Sequence, residues 1–208
     1  MIARAAEQAG AVSGEGATKG GRGLPPVETW NPPFCGDIDM EIRADGTWFY
    51  MGTPIGRAPL VRLFSTVLRR DDDGKTYLVT PVEKVGIRVV DAPFLAVEME
   101  VGEMENGAVE SGKESGEPVL TFRTNVGDVV AAGAAHPLRF QICGDNNELK
   151  PYLTVRGRLE ALLSRAVMYQ LVERGETIDV DGMPMFAVRS GGMVFAIMPQ
   201  AELEGLSR

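Results

Sequence analysis

Residues 37–50, DIDMEIRADGTWFY, place an apolar side chain at every second position and then turn sharply. Ile38, Met40 and Ile42 alternate with acidic residues, which is the two-residue period of a strand buried on one face. Asp45-Gly46 favours a tight hairpin turn because both residues tolerate positive φ. The sequence therefore predicts an antiparallel hairpin, with TWFYMG as the return strand and one face against a core.

A second strand-like run, TYLVTPVEKVGIRVVDAPF at 76–94, contains two charges at its middle. Glu83 shares the parity of Tyr77 and Val79, so in a straight strand it would face the core, where an unpaired charge is costly. Pro81 lacks a ladder donor and interrupts strands. Two interpretations remain open. One is a turn with two exposed charges, and the other is a cleft ringed by the polar residues Thr80, Glu83 and Lys84.

Two segments have helical spacing. Pro59 suits a first helical turn, and Leu60, Phe64 and Leu68 follow at four-residue intervals. A second apolar stripe predicts a helix that ends near Gly175; its members are Leu159, Leu162, Leu163, Ala166 and Val167.

These elements predict an α+β fold of two similar halves, in which strands, a helix and strands are duplicated and the sheets are mostly antiparallel. Gly56-Arg57 and Gly157-Arg158 stand just before the two helical stripes, which supports the duplication. The expected organisation is an N-terminal arm at 1–23, a first half at 24–96 and a second half at 97–208.

The arm and one internal segment differ in composition from the rest of the chain. Residues 1–23 are rich in Gly, Ala and Ser and lack the apolar surface needed to offset ordering entropy, so we expect a disordered arm. Residues 98–117 hold seven Glu and one Lys, a pattern typical of a solvated hairpin or loop.

Charge and apolar run length exclude several classes of function. A net charge of −8 argues against general affinity for nucleic acid or for an anionic membrane. The apolar runs fall short of the ~20 residues of a membrane span, and the arm lacks the apolar core of a secretory signal. We therefore expect a cytoplasmic protein, in which Cys35 and Cys143 are buried and reduced.

The sequence contains no catalytic motif, which favours a protein that is not an enzyme. One histidine, His136, and two distant cysteines are too few for a zinc site, and nothing indicates a cofactor. DGKT at 73–76 is not a phosphate loop, because position 69 is Arg where such a loop has Gly. An enzyme that uses carboxylates such as Glu83 and Asp91 is the least supported alternative.

Three long strings carry a family resemblance; they are NPPFCGDIDMEIRADGTWFYMGTPIGR, YLVTPVEKVGIRVVDAPF and LKPYLTVRGRLEALLSRAVMYQLVE. Through them the chain, from about Leu24 to Met198, resembles the bacterial domain-of-unknown-function family 1285 (DUF1285). The resemblance implies an internally duplicated α+β fold and a second half like a pleckstrin-homology barrel. It also implies a nucleotide-like ligand, held between the halves in a signalling role. The family brings no catalytic residues.

Arginines in both halves indicate where an anion could bind. Arg57, Arg156 and Arg165 have planar heads that form two-pronged bonds to phosphate or carboxylate. Asn125 and Tyr152 could add neutral hydrogen bonds, although Asn125-Val-Gly127 also reads as a turn. With Thr80, Glu83 and Lys84 these residues form the candidate site of a ligand-binding or sensory module. In the alternative, the arginines form internal ion pairs and the protein binds a protein partner through its arm and its acidic segment.

Overall fold

In the computed structural model, which describes residues 23–104, 117–144 and 148–206, the chain divides into two units. The first comprises the described residues up to Pro93 together with Gly157–Leu159. The second comprises the described residues of Phe94–Arg156 and those from Glu160 onward. The predicted disordered arm lies outside the described residues except for Gly23, as do 105–116 of the acidic segment.

The first unit contains a six-stranded sheet and one α-helix. A short 3-10 helix, Val27–Thr29, precedes the sheet. The strands and the helix are β1 (Phe34–Ile42), β2 (Trp48–Tyr50), β3 (Thr53–Pro54), α1 (Ala58–Thr66), β4 (Leu68–Arg70), β5 (Thr76–Val79) and β6 (Lys84–Val89).

The second unit contains a six-stranded sheet, a three-stranded sheet and two helices. The six-stranded sheet consists of β7 (Phe94–Met104), β8 (Glu117–Thr124), β9 (Val129–Ala131), β10 (Leu138–Cys143), β11 (Glu148–Arg156) and β12 (Leu159–Leu163). After it come α2 (Arg165–Val172), β13 (Glu176–Val180), β14 (Met183–Ser190), β15 (Met193–Pro199) and α3 (Gln200–Leu206).

The two six-stranded sheets have the same topology. The first has the order β3-β2-β1-β6-β5-β4, and the second, read in the same direction, has β9-β8-β7-β12-β11-β10. In each sheet the first and last strands are the central pair, and they run parallel in both. The remaining pairs with a determined register are antiparallel. The duplication expected from the sequence is thus present as a repeated sheet.

The predicted place of the helices in this repeat is wrong. Helix α1 lies between the third and fourth strands of its sheet, whereas α2 follows the sixth strand of its own. Residues Leu159–Leu163, predicted to be helical, form β12, in which buried and half-buried side chains alternate. Their spacing also fits a two-residue period, which decides the structure here. The described residues are accordingly mostly strand, with fewer helical residues than an α+β fold of two strand-helix-strand halves would have.

Helix boundaries follow local capping chemistry. Pro59 lies in the first turn of α1, as predicted, but the helix ends before Leu68, which begins β4. Helix α2 begins after Ser164, whose hydroxyl accepts a hydrogen bond from the Val167 N–H at 3.4 Å. Such a cap stabilises the first turn and marks the true start of the second helix.

Each unit has its own apolar core. In the first, Met40, Ile42 and Trp48 are almost wholly buried, and the Trp48 and Phe64 rings stack at 6.3 Å. In the second, the largest fully buried side chains are Phe94, Phe122, Leu120, Leu153, Leu171 and Val167. The predicted alternation of β1 is confirmed, since Met40 and Ile42 are buried while Asp37 and Asp39 are exposed.

The charges within residues 76–94 lie at a hairpin. β5 and β6 pair antiparallel, and Thr80–Glu83 join them. The Thr80 N–H bonds the Glu83 carbonyl at 2.9 Å, and the Thr80 hydroxyl accepts from the Glu83 N–H at 3.2 Å. Glu83 therefore lies in a turn, as one interpretation expected, but neither charge is exposed, since Glu83 is half-buried and Lys84 begins the next strand and is only 21% exposed.

Candidate functional site

The strongest candidate site is a groove of about 420 Å³ in the first unit. Its walls come from β1, β4, β5 and β6 and from the segment after β6. We call it the Arg70 groove; its lining residues are Asp37, Ile38, Arg70, Gly74, Lys75, Thr76, Gly86, Ile87, Arg88, Val89, Asp91 and Pro93.

The hairpin between β4 and β5 places two cations on the groove. Its turn closes through the Asp71 N–H to the Lys75 carbonyl at 3.1 Å, and Gly74 takes φ of +79°. Asp73 Oδ1 accepts from the Lys75 N–H at 2.9 Å. This turn chemistry holds Lys75 directly after the bend, opposite Asp71 and next to Thr76, which is the register partner of Arg70.

Arg70 and Lys75 keep donors available. Arg70 is exposed, and its Nε donates to the Gly74 carbonyl at 3.2 Å. Among the described residues, neither cation forms an ion pair with a carboxylate. Arg70 therefore has terminal nitrogens, and Lys75 an ammonium, that can face an anion. The half-buried Ile38, Ile87 and Val89 add apolar surface to the groove.

The groove is also lined by Asp37 on β1 and by Gly86 and Arg88 on β6. Asp37 and Gly86 are register partners in the central parallel pair. Arg88 is exposed and forms an ion pair with Glu41. The lining thus combines cations, the two carboxylates Asp37 and Asp91, and apolar side chains, which is the composition of a small-molecule site.

A buried ion-pair network lies beside the groove. Arg69, only 8% exposed, donates from Nη1 to the carbonyls of Val27 (2.9 Å) and Trp30 (2.7 Å). Asp71 binds Arg69 and accepts from Lys84 Nζ at 3.0 Å. The hydrogen bond from Arg69, followed by that from Lys84, lowers the pKa of Asp71 below its ordinary 3.8, although desolvation opposes the shift. Because its donors are already used, Arg69 is a structural residue and not a free anion ligand.

Tyr77 and Asp73 are coupled across the same hairpin. The Tyr77 hydroxyl donates to Asp73 Oδ2 at 2.5 Å. This bond raises the pKa of Tyr77 to about 12 and lowers that of Asp73. The Tyr77 ring also packs edge-on against Phe34 at 6.0 Å, and Lys84 Nζ lies 4.5 Å from its centroid. Tyr77 is therefore a neutral, fixed part of the hairpin.

A second, larger cavity of about 650 Å³ lies in the same unit, and its lining mixes four carboxylates with Arg69, Arg70 and Arg158. Its carboxylates are Glu28, Asp71, Asp72 and Asp73. Asp72 pairs with Arg158, from the segment Gly157–Leu159. No described group of three or more His, Cys, Asp or Glu side chains could hold a metal ion. Because Arg69 and Arg158 are already paired with Asp71 and Asp72, this cavity offers an anion fewer available donors than the Arg70 groove does.

Of the predicted site residues in the first unit, three come together but none lines the groove. Thr80 is buried and its hydroxyl is used within the turn, next to the half-buried Glu83. Lys84 is paired with Asp71. Arg57 is exposed at the N-cap of α1, as expected, and its side chain has no partner among the described residues.

The other predicted residues lie in the second unit, where several have structural partners. Arg156 Nη1 donates to Asp128 at 2.6 Å, and its head lies 4.7 Å from the Phe94 ring centroid. Asn125 and Leu95 exchange two bonds, one of them from the Leu95 N–H to Asn125 Oδ1 at 3.1 Å.

Tyr152 is buried on β11, and the Arg139 head lies 4.2 Å from its ring centroid. Arg165 Nε donates to the Tyr169 hydroxyl at 3.1 Å, which raises the pKa of Arg165. The Tyr152 ring and the Arg165 guanidinium are therefore already engaged within the second unit.

Cys35 is exposed and Cys143 half-buried, so the expectation of buried thiols is wrong, although both are free. His136 Nδ1 lies 3.1 Å from the Thr154 carbonyl. In the part of the chain that the structure describes, no helix is long and apolar enough to cross a membrane.

Sequence reasoning missed Arg70, Lys75 and Asp37. The available signal was the turn sequence DDDG between two apolar runs, since a short turn between antiparallel strands brings the residues on its two sides close together. That signal was hidden because Leu68, the first residue of β4, also fits the predicted helical stripe.

Together these features define a β-rich protein built on a duplicated six-stranded sheet, with a polar groove in its first unit. The chain belongs to the DUF1285 family. Residues 25–92 match the family's N-terminal domain, described as a domain of unknown function, and residues 93–197 match its C-terminal domain.

Two solved structures are similar to the chain. A DUF1285 family protein from Silicibacter pomeroyi DSS-3 is 46% identical over 94% of this chain and 95% of that chain, with a TM-score of 0.76. A DUF1285 family protein from Shewanella baltica OS155 is 29% identical over 65% of this chain and 91% of that one, with a TM-score of 0.47. No curated protein matches the chain.

Proposed function

We propose that the protein is a ligand-binding, sensory module that recognises a small anionic molecule in the Arg70 groove and acts in signal transduction. The proposal depends on one observation: Arg70 and Lys75 line the same groove, and neither has a carboxylate partner among the described residues. The earlier placement of the ligand between the two halves remains a prediction and is not needed for this proposal.

The chemistry of the two cations suits a phosphate or carboxylate. An arginine head offers a planar fork of donors, and a lysine ammonium adds a compact charge. In a chain of net charge −8, a local pair of cations that meets no carboxylate in the described part of the chain is a specific feature and not a general basic surface. The apolar side chains of the groove would contact the uncharged part of a ligand, and a nucleotide has both parts.

Binding is favoured over catalysis by the side chains of the groove. None of its described lining residues is Ser, Cys or His. His136, the single histidine of the chain, belongs to the second unit. A charged groove without a serine, a cysteine or an imidazole base supports a receptor better than an enzyme of the Ser-, Cys- or His-dependent kind.

A thermal-shift screen tests the proposal. Inorganic phosphate, AMP and citrate are added to the full chain and to Arg70→Ala and Lys75→Ala variants. A ligand at a hundred times its Kd stabilises by about 2.7 kcal/mol, which is on the order of 5–10 °C in Tm for a chain of this size.

Arg62→Ala is the matched control, because Arg62 is an exposed cation of the same unit that lies outside the groove. At least one anion should raise Tm in the parent and the control, and much less in the two groove variants. Absence of any shift, or equal shifts in all four proteins, would refute the proposal.

A protein-interaction role is the second candidate, favoured by the ion pair of Arg156 with Asp128. Arg156, which was predicted to bind an anion, forms this ion pair within the second unit instead. The arm at 1–23 and the acidic segment at 98–117 would then contact a protein partner. Deletion of the arm, or of residues 105–116 so that β7 and β8 are kept, should abolish co-purification of that partner while Tm is retained, and undiminished capture by both deletions would reject this role.

Two finer expectations remain proposals. One is a cytoplasmic location, which fractionation of cells expressing the tagged full chain would test. The other is a pleckstrin-homology-like second half, supported by the run of antiparallel strands β13, β14 and β15 that leads directly into α3. A crystal structure in which the strands of this half stay open would contradict it.

A further inference from the structure

Gly86 creates room for the carboxylate of Asp37. The two residues are partners in the parallel pair of β1 and β6. A Cβ atom on Gly86 would overlap Asp37 Oδ1, whereas the next side chain, Tyr77, would remain in ordinary contact at 3.7 Å. The absent side chain at position 86 is therefore what allows the Asp37 carboxylate to lie over β6.

The Asp37 carboxylate is not used by the fold. It forms no hydrogen bond or ion pair with any described residue, although Arg70, Lys75 and Arg88 line the same groove. An ionised carboxylate only accepts hydrogen bonds, and Arg and Lys side chains only donate them. The groove thus presents cationic donors together with a free acceptor.

A simple anion would satisfy only part of this arrangement. It would be attracted by Arg70 and Lys75 but repelled by Asp37, whose acceptor oxygens would lack a donor. A molecule that carries an anionic group and also hydroxyl or amine hydrogens would satisfy both. Unfilled polar groups in a site are the usual basis for rejecting an analogue that lacks the matching donor.

We propose that Asp37 is a specificity-determining residue of the Arg70 groove and selects hydroxyl- or amine-bearing anions, such as sugar phosphates, over simple anions. This inference rests on the proposed anion-binding function. It assigns Arg70 and Lys75 to the charged end of the ligand and Asp37 to its donor groups.

The test is isothermal titration of the full chain with two probes that share one phosphate group, inorganic phosphate and ribose 5-phosphate. In the parent, ribose 5-phosphate should bind about ten- to a hundredfold more tightly, as expected for hydrogen bonds to a charged acceptor. Asp37→Ala should remove that preference and leave phosphate binding equal or stronger. Lys75→Ala should weaken both probes.

Asp39→Ala is the matched control, an exposed acid on the same strand that does not line the groove, and it should behave as the parent. If phosphate binds through Arg70 and Lys75 but the two probes bind equally, or if Asp37→Ala keeps the preference, the selectivity is refuted while anion binding stands. If neither probe nor any other anion binds, both proposals fail.

Discussion

Arg69 and Asp71 form a two-pronged ion pair across one residue of the first sheet's outer hairpin, with Nε to Oδ1 at 2.6 Å and Nη2 to Oδ2 at 3.2 Å. The remaining terminal nitrogen of Arg69 holds the carbonyls of Val27 and Trp30. One buried guanidinium therefore fixes both the hairpin that carries Arg70 and Lys75 and the segment that precedes the sheet.

Arg69→Ala should destabilise the protein by about 3–5 kcal/mol, because it leaves the Val27 and Trp30 carbonyls without this donor and Asp71 with Lys84 alone among the described residues. Urea unfolding measures the change. Arg70→Ala is the matched control, since Arg70 is the exposed neighbour, and should cost less than about 1 kcal/mol. Equal losses for the two variants would show that the network has no special role.

The free energy of unfolding should fall at acidic pH because Asp71 becomes protonated. Its folded-state pKa lies below the ordinary 3.8, so its contribution is complete above that value and is lost as the pH falls through the folded value. The stability difference between the parent and Asp71→Asn should therefore shrink between pH 7 and pH 3. Urea titrations at both values measure it, and a difference independent of pH would contradict the expected linkage.

Tyr77 should titrate later than an ordinary tyrosine. Its pKa is raised to about 12 by the bond to Asp73, so this contribution to stability persists below pH 10 and is lost as the pH rises through 12. Ultraviolet titration should show one tyrosine with this raised pKa. The raised pKa should be absent in Tyr77→Phe and should move towards 10 in Asp73→Asn. An unchanged raised pKa in Asp73→Asn would assign the shift to another cause.

Whether Gly86→Ala raises or lowers the free energy of unfolding should depend on Asp37. In the parent the new methyl group displaces the Asp37 carboxylate, so we expect little gain or a loss of up to about 1 kcal/mol. In an Asp37→Ala background the same change should stabilise by about 0.5–1 kcal/mol, because Ala is less costly than Gly within a strand. Urea unfolding of the four proteins gives the coupling, and additive effects would mean that the two residues do not interact.

Ser190 should be important in the second unit. Its hydroxyl is fully buried, accepts from the Leu120 N–H at 2.9 Å and donates to the Ala132 carbonyl at 2.8 Å. Ser190→Ala leaves both groups unpaired and should cost about 2–4 kcal/mol. Thr66→Ala removes a half-buried hydroxyl that bonds only its own helix and should cost less than about 1 kcal/mol in the same urea assay. A Ser190 loss no larger than this control would contradict the expectation.

The strands were the predictable part of the fold. Alternation in β1 and the Asp45-Gly46 turn are local signals, and the structure confirms that Met40 and Ile42 face the core. The stripe from Leu159 misled because Leu159 and Leu163, four apart, also share one face of a strand, on which Ala161 fills the intervening inward position, while Leu162 lies on the opposite, half-buried face. Pairing between strands, and not local spacing, determines the secondary structure of that segment.

The candidate site was less predictable because it depends on which cations remain unpaired. The sequence does not distinguish Arg156 from Arg70 as a candidate ligand. In the structure, however, Arg156 forms an ion pair with Asp128, 28 positions away, whereas Arg70 forms none with a carboxylate among the described residues. Pairing over such a distance is a tertiary property. The space over Gly86 is likewise visible only when β1 lies beside β6.

The parallel contact between the first and last strand of each six-stranded sheet has a consequence for biosynthesis. The central ladder of the first sheet cannot close until Val89 has left the ribosome, and that of the second must wait for Leu163. Contacts so distant along the chain slow folding and leave strand edges open in the meantime. The nascent chain thus passes through two vulnerable intervals, one for each copy of the sheet, in which chaperones would find their substrate.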